Sequence, residues 1–301
     1  STSTTDTVGG GGILGLKDIS IGKWRLPLVS QKTILRRQGP AFWEPLVREG
    51  VNTVIYRIPA NYPARDTAGR ARFYCLAGMG TPDLLGTYGM FTVFTSDAPL
   101  MGRKVGGGQF VNMVPIHHRA KAKLKGPANP LKNPDHRGRV PDLYIEFQIV
   151  RDPVAKVAKI DIGGNKMLLN EGEWSPWIQF DFETQIPGSN LFGVDVLGVI
   201  QIPTTVPGMV RVYLKQVHPE LELFVTPINI DPTNPATSIS VPKSFSADLA
   251  DDTGLYFTAG IPEHPPEIKE GALNGDEWLG KARMILDKRI EQFHHALKDF
   301  D

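Results

Sequence analysis

The sequence predicts a mixed α/β chain in which an antiparallel, mainly β insert interrupts an α/β part. Three observations predict this arrangement. A helical pattern followed directly by a buried strand occupies residues 42–58, short strand patterns fill residues 106–226, and helical patterns return after residue 242. We therefore expect a leader over residues 1–12, an α/β core formed by residues 13–105 and 227–301, and a β-rich sandwich domain over residues 106–226.

The first twelve residues are mainly Ser and Thr followed by four glycines. A glycine-rich loop that holds phosphate would need a preceding strand and a following helix with a lysine. The sequence has neither around Gly9–Gly12, and the segment offers few apolar side chains to offset the entropy of ordering it. We therefore predict a flexible leader.

The first α/β unit begins near Pro40. Phe42, Trp43, Leu46 and Val47 share one helical face, and Gly50 stands where a left-handed residue would end the helix. Residues 51–58 are then rich in β-branched side chains and are stopped by a proline, as in a buried strand. A helix that leads directly into a buried strand favours a parallel sheet.

The predicted insert is a succession of short strands. Residues 157–162 and 166–169 flank Gly163-Gly164, which favours a hairpin because glycine adopts positive φ without strain. Further strand patterns within it lie at residues 177–182, 194–202, 209–215 and 221–225, and residues 86–96, which precede the insert, are also rich in β-formers and glycines. Strands at this spacing suggest an antiparallel sandwich.

Two helices are predicted after the insert. Ser244 is an N-cap candidate for residues 245–253, which Gly254 would end. The last helix carries an apolar stripe with a charged face opposite. The stripe comprises Trp278, Leu279, Ala282, Leu286, Ile290, Phe293 and Leu297, and the charged face comprises Lys281, Asp287, Lys288 and Glu291. We expect so strong a stripe to pack on sheet, although no strand pattern follows it.

Composition limits the classes of function. The 301 residues are 41% hydrophobic and 22% charged, with a formal net charge of +1, which argues against a dedicated nucleic-acid binder. No apolar run approaches the roughly 20 residues that cross a bilayer, and the start resembles no signal peptide. The sequence predicts a soluble chain without a membrane partner and leaves its compartment open. The single cysteine, Cys75, cannot form an internal disulfide and is expected to be buried.

Several clusters could in principle carry chemistry. The pairs His117-His118 and His294-His295 have the wrong spacing for metal, because neighbours on a helix or strand point apart. Asp135-His136 lies in a loop rich in Pro and Lys and is interpreted as coincidental. We therefore predict no metal ligands and no catalytic residues in this chain.

Two further clusters leave alternatives open. The carboxylates Glu171, Glu173, Asp181 and Glu183 surround Trp174 and Trp177, which suits either a sugar-binding or glycosidase face or the solvent side of a hairpin above two core tryptophans. The basic stretch over residues 117–139 could attract an anionic substrate, or it could be a solvated loop, since no aromatic side chain interleaves with it.

Blocks that span nearly the whole chain resemble one family. They are FW at 42–43, NYP at 61–63, GMGTPDLLGTYG at 78–89, GEWSPW at 172–177, FVTPINIDPTNP at 224–235 and FTAGIPE at 257–263. In this order they resemble a bacterial branch of the type I phosphodiesterase and nucleotide pyrophosphatase group of the alkaline phosphatase superfamily. The long block at 78–89 is the most specific of them.

The resemblance implies an alkaline-phosphatase-like α/β core, two divalent metal ions, usually zinc, and a Thr or Ser nucleophile. In the family the nucleophile precedes the resembling blocks, and the Asp-x-x-x-His and Asp-His ligand motifs follow them, so no catalytic residue can be assigned here. The resemblance implies an internal segment of a phosphoric-ester hydrolase, inactive alone, whose partners are flanking segments and a phosphate-ester substrate. Candidate residues bordering that substrate are Asn61, Tyr62, Thr81, Asp83, Glu263 and His264. The alternative function is a non-catalytic β-sandwich module that binds carbohydrate or a protein partner.

Overall fold

The computed structural model describes residues 5–9, 18–27, 31–35, 39–184 and 205–298. These residues form a mixed α/β protein that consists mostly of sheet. The strands are β1 (Thr5–Gly9), β2 (Asp18–Ile21), β3 (Trp24–Pro27), β4 (Gln31–Leu35), β5 (Thr53–Tyr56), β6 (Phe73–Leu76), β7 (Phe91–Thr95), β8 (Lys104–Val105), β9 (Gly108–Asn112), β10 (Arg119–Ala128), β11 (Asp142–Arg151), β12 (Val157–Ile162), β13 (Asn165–Asn170), β14 (Glu173–Trp174), β15 (Ile178–Glu183), β16 (Thr205–Val210), β17 (Val212–Gln216), β18 (Glu222–Val225), β19 (Asn229–Ile230) and β20 (Ser240–Val241). The helices are α1 (Trp43–Arg48), α2 (Phe245–Thr253), α3 (Pro266–Lys269) and α4 (Gly275–Leu297).

The strands of the predicted insert form a sandwich-like core. One layer is the four-stranded antiparallel sheet β10-β11-β12-β13, and facing it are the sheets β14-β17-β18-β7-β9-β8 and β15-β16-β19. Alternate side chains of β10, β11 and β15 point inward, and the rings of Phe94 and Phe147 meet edge to face at 4.4 Å between layers. No helix occurs within the described residues of the window 106–226.

The boundary of this β region differs from the prediction. β7 precedes the expected start at residue 106, yet it lies in the middle of the six-stranded sheet, between β18 and β9. It pairs in parallel with β9, with Phe91 opposite Gly108, so the sheet is not wholly antiparallel. This pairing requires glycine at 108, because a Cβ there would lie 2.3 Å from the ring of Phe91, its partner on β7.

The α/β part has a small sheet between helices. β5 and β6 are parallel, with Thr53 opposite Phe73, and β20 adds antiparallel to β6. α1 covers one face, where Trp43 and Val47 pack with Ile55 and Phe73. α2 covers the other face and contacts β6. The predicted parallel pairing after the first helix is confirmed.

The N-terminal segment and the basic stretch also differ from expectation. Thr5–Gly9 lies within the predicted leader but forms β1, antiparallel to β4; three of its five residues, two Thr and one Val, are β-branched and suit a strand. Arg119–Ala128 is the edge strand β10 rather than a loop. Its four cationic side chains alternate outward, which is a common protection of sheet edges, and Lys123 pairs with Glu146 at 3.0 Å. The strand predicted at residues 194–202 lies outside the described residues.

Helix α4 buries a different face from the predicted one. Its buried side chains are Lys281, Ile285, Gln292 and Ala296. Five members of the predicted apolar stripe are exposed, by 45 to 59%: Leu279, Leu286, Ile290, Phe293 and Leu297. Lys281, predicted to face solvent, is fully buried and paired with Glu267. Among the described residues, no helix is both long and apolar enough to cross a membrane.

Candidate functional site at the carboxyl ends of β5 and β6

The candidate site lies where the two parallel strands end. Parallel strands place their following loops at one edge of the sheet, which is where open α/β sheets bind ligands. The loop after β5 meets the loop after β6 through Ala60, whose N–H donates to the Met79 carbonyl at 3.1 Å. The segment after α2 joins them, because the Gly260 N–H donates to the Thr81 carbonyl at 2.9 Å. Three of the resembling blocks thus converge here: NYP at 61–63, GMGTPDLLGTYG at 78–89 and FTAGIPE at 257–263.

Two glycines allow this close approach. A Cβ on Gly78 would lie 2.3 Å from the backbone of Arg57 and Ile58. A Cβ on Gly260 would lie 2.8 Å from the Gly80 nitrogen. Real Cβ atoms do not come so near backbone atoms, so both positions require glycine for a steric reason.

Arg57 connects the loop after β5 to the segment after α2. It directly follows β5 with a positive φ of 52°, and its guanidinium donates to the carbonyls of Phe257 and Ala259, both at 2.6 Å. Its Nε is buried and finds no acceptor among the described residues. Desolvation, and after it the neighbouring charge of Arg289, lowers the pKa of Arg57 to about 10. Arg57 therefore keeps its positive charge at neutral pH.

Glu263 connects the site to α4. Its carboxylate accepts from Arg289 at 2.6 Å, and its carbonyl accepts from the Trp278 indole at 2.7 Å. Both charged side chains are partly exposed, Arg289 by 38% and Glu263 by 29%. This pair is therefore a partly accessible charged surface beside the loop cluster.

Asn61 and Tyr62 point into the protein. The Asn61 amide donates to the Cys75 sulfur at 3.1 Å, and the Tyr62 hydroxyl lies 3.2 Å from that of Thr237. Asn61 is 1% exposed and Tyr62 4% exposed. Cys75 itself is buried, as predicted.

Thr81 and Asp83 shape the loop after β6. The Thr81 hydroxyl donates to the Gly78 carbonyl at 2.7 Å. The Asp83 carboxylate accepts from the backbone N–H groups of Thr87 and Met90, at 2.8 and 3.0 Å, and from the Thr87 hydroxyl at 2.5 Å. Burial raises the pKa of Asp83, while these hydrogen bonds oppose the rise. The side chain closes the 83–90 loop.

His264 is held between two glycines. Its backbone has a positive φ of 44°, and its Nε2 donates to the Gly107 carbonyl at 2.9 Å. Burial lowers the pKa of His264, which favours the neutral ring. A Cβ on either Gly89 or Gly107 would lie 2.7 Å from the imidazole.

The six predicted residues thus lie in or beside one loop cluster, but five of them are buried and bonded inside it. The exposed and half-exposed side chains of the cluster include Met79, Tyr88, Ile261, Glu263 and Arg289. Sequence reasoning missed Arg57 and Arg289. A signal for the first was available, since Arg57 is a cation placed directly after a buried strand. Two guanidinium groups in this position can attract an anionic group.

The described residues do not suit a resident metal ion. They contain no group of three or more His, Cys, Asp or Glu side chains that could hold one. His117 and His118 have positive φ in a tight turn, and the His295 imidazole lies 3.3 Å from the Asp252 carboxylate. The residues present therefore do not fit the two-metal centre that the resemblance implies.

The tryptophan cluster packs internally. Trp174 stacks at a tilt on Tyr213, with ring centroids 4.9 Å apart, and Trp177 meets Phe257 edge to face at 4.7 Å. Glu171 accepts from Lys156 at 2.7 Å, and Glu173 accepts from Asn170. Both tryptophans pack on other rings, but they are half-buried rather than fully buried core residues.

Comparisons of the chain with protein-family models, with curated proteins and with solved structures found no match.

Proposed function

We propose that this chain is the substrate-side part of a metal-dependent phosphoric-ester hydrolase of the phosphodiesterase and nucleotide pyrophosphatase type. In this proposal its α/β part belongs to an alkaline-phosphatase-like core, and further polypeptide carries the nucleophile and the metal ligands. The convergence of three resembling blocks at the carboxyl ends of β5 and β6 is the observation that carries the proposal. An α/β enzyme binds its substrate at that edge of the sheet.

The small sheet supports a larger core in the whole protein. β5 is the edge strand of β20-β6-β5 in the part of the chain that the structure describes. Parallel strands are usually buried on both faces within larger sheets and seldom lie at an open edge. A sheet with a parallel strand at its edge is suited to take a further strand beside β5.

The position of α4 supports the same conclusion. Its buried face packs on α2 and α3, where Lys281 pairs with Glu267. At 3.6 residues per turn, the exposed stripe of Leu286, Ile290 and Phe293 lies about 120° round the helix from that face. Arg289 lies between the two faces and contacts Glu263 beside the end of β5. In the whole protein, this exposed stripe would be covered by further structure.

The chain's own contribution to the reaction would be recognition. Arg57 and Arg289 place positive charge at the loop cluster, and Met79 and Ile261 supply apolar surface for the remainder of an ester. Bidentate guanidinium contacts suit phosphate oxygens. No chemical step is assigned to this chain, because its described residues hold no metal-ligand cluster.

The experiment uses a polypeptide extended at both ends, assayed for zinc-dependent hydrolysis of bis(p-nitrophenyl) phosphate. We expect turnover, and we expect replacement of its upstream Thr or Ser nucleophile to abolish turnover. Arg289→Met should raise KM by about tenfold through the lost phosphate contact. Arg283→Met is the matched control, an exposed cation on the same helix without that contact, and should leave KM unchanged. An extended polypeptide without zinc-dependent turnover would contradict the proposal.

The alternative of a carbohydrate-binding module has less support. A sugar platform needs an aromatic face open to solvent, whereas Trp174 and Trp177 pack on Tyr213 and Phe257. The glutamates beside them are engaged by Lys156 and Asn170.

A further inference from the structure

A cavity of about 160 Å³ lies on the other face of the β5/β6 sheet, where α2 and the last turns of α4 cross it. Its lining includes the side chains of Tyr56, Tyr74 and Phe245. Carboxylates of α2 and the imidazole of His295 stand around it. Neither the loop cluster nor the proposed hydrolase function involves this cavity.

The three aromatic rings at the cavity pack against one another. The centroid of Phe245 lies 5.8 Å from that of Tyr56 and 5.0 Å from that of Tyr74, with interplanar angles of 56° and 46°. All three side chains also line the cavity. An organic cation within about 6 Å of such ring centroids is attracted by their quadrupoles.

Two carboxylates of α2 add negative charge to the lining of the cavity. Asp248 and Asp252 are one helical turn apart on α2 and both line the cavity. Asp252 lies 3.3 Å from His295, whereas Asp248 has no cationic partner among the described residues. The cavity thus combines aromatic walls with a carboxylate that is available to a ligand.

We propose that this cavity binds a small organic cation of the methylated-ammonium class. The cavity volume of about 160 Å³ is similar to that of apolar cavities of ~150 Å³ that hold benzene, so a trimethylammonium group has room to fit. A hard metal ion would instead require six or more oxygen ligands, and three aromatic rings supply none on their faces. Free choline-like molecules and trimethyl-lysine side chains present the same chemistry.

The test is a titration of the ¹H–¹⁵N spectrum of the 301-residue chain with choline and, separately, with trimethyl-lysine amide. We expect saturable shifts at Tyr56, Tyr74 and Asp248 with at least one of them. The uncharged isostere 3,3-dimethyl-1-butanol should bind about tenfold more weakly, since it lacks the cation–π attraction. Binding of choline alone would indicate a small-molecule ligand, and a preference for trimethyl-lysine would indicate a modified protein.

Matched variants distinguish binding in this cavity from non-specific attraction of a cation to the acidic residues of α2. Asp248→Asn should weaken binding about fivefold. Asp251→Asn removes the same charge from an exposed position of α2 that does not line the cavity, and it should leave affinity unchanged. Absence of saturable shifts with either cation, equal binding of the uncharged isostere, or equal loss in the two variants would overturn the proposal.

Discussion

The ammonium of Lys281 lies 2.5 and 2.6 Å from the two carboxylate oxygens of Glu267, and both side chains are fully buried. The pair joins α4 to α3, beside the segment that carries Glu263 and His264. Desolvation raises the pKa of Glu267 from its ordinary 4.5 to about 7, although Lys281 opposes the rise. Desolvation likewise lowers the pKa of Lys281. The attraction of the partners therefore only partly offsets the cost of burying two charges.

Lys281→Met should destabilise the chain by about 3–5 kcal/mol, because it leaves the Glu267 carboxyl buried without a cation. The double variant Glu267→Leu, Lys281→Met should recover most of that loss, since well-packed apolar side chains often replace a buried ion pair without cost. Urea denaturation followed by circular dichroism measures both. A double variant as unstable as the single one would show that packing around the pair matters more than charge.

The cost of Lys281→Met should also grow with pH. A carboxyl whose pKa is raised on folding favours the folded state below its ordinary pKa of 4.5, and this contribution is lost as pH rises through about 7. Without Lys281, the pKa of Glu267 should rise further. The difference in free energy of unfolding between the native chain and the variant should therefore be small near pH 5 and larger near pH 8. A difference independent of pH would contradict this account of Glu267.

Substitutions at two neighbouring residues of α4 should differ in how much they lower the free energy of unfolding. Leu286 is 55% exposed, so Leu286→Lys should change the free energy of unfolding by no more than about 0.5 kcal/mol and should reduce binding of a hydrophobic dye. Ile285 is 2% exposed, so Ile285→Ala should cost about 2–5 kcal/mol. If Leu286→Lys were as costly as Ile285→Ala, the stripe would be buried in this chain.

Two glycines of one sequence block should differ when replaced by alanine. Gly78→Ala should cost more than about 2 kcal/mol, because its Cβ would clash with the backbone of Arg57 and Ile58. Gly86→Ala meets no atom within 4 Å and should cost only about 1 kcal/mol for its positive φ of 77°. Thermal unfolding of the two variants checks the order, and equal losses would contradict the close approach of the loops at the site.

Local signals allowed much of the fold to be predicted. Gly50 and Gly254 follow α1 and α2 near the expected ends, with φ of 91° and 77°. Gly163 and Gly164 turn the β12–β13 hairpin with positive φ, as predicted. Such signals succeed because glycine removes a steric barrier within a few residues of where it stands.

Other features depend on partners distant in the sequence. Lys281 has the spacing of a solvent-facing residue, and only its contact with Glu267 explains its burial. Asn274 forms a capping box with Glu277 at the start of α4, a local signal that was overlooked. At the site, the sequence indicates which loops are involved, but it cannot show that Asn61 and Asp83 are bonded internally. The relevance of Arg289 emerges only from the folded arrangement, whereas the position of Arg57 directly after a buried strand is a local signal that was overlooked.

The most direct test of the central claim is the rate at which the purified 301-residue chain alone hydrolyses bis(p-nitrophenyl) phosphate with added zinc. A nucleophile must be activated by a base or a metal ion, and the described residues contain no metal-ligand group. We predict a rate equal to that of zinc in buffer at every zinc concentration. Saturable, zinc-dependent turnover by this chain would contradict the claim that the nucleophile and metal ligands lie in further polypeptide.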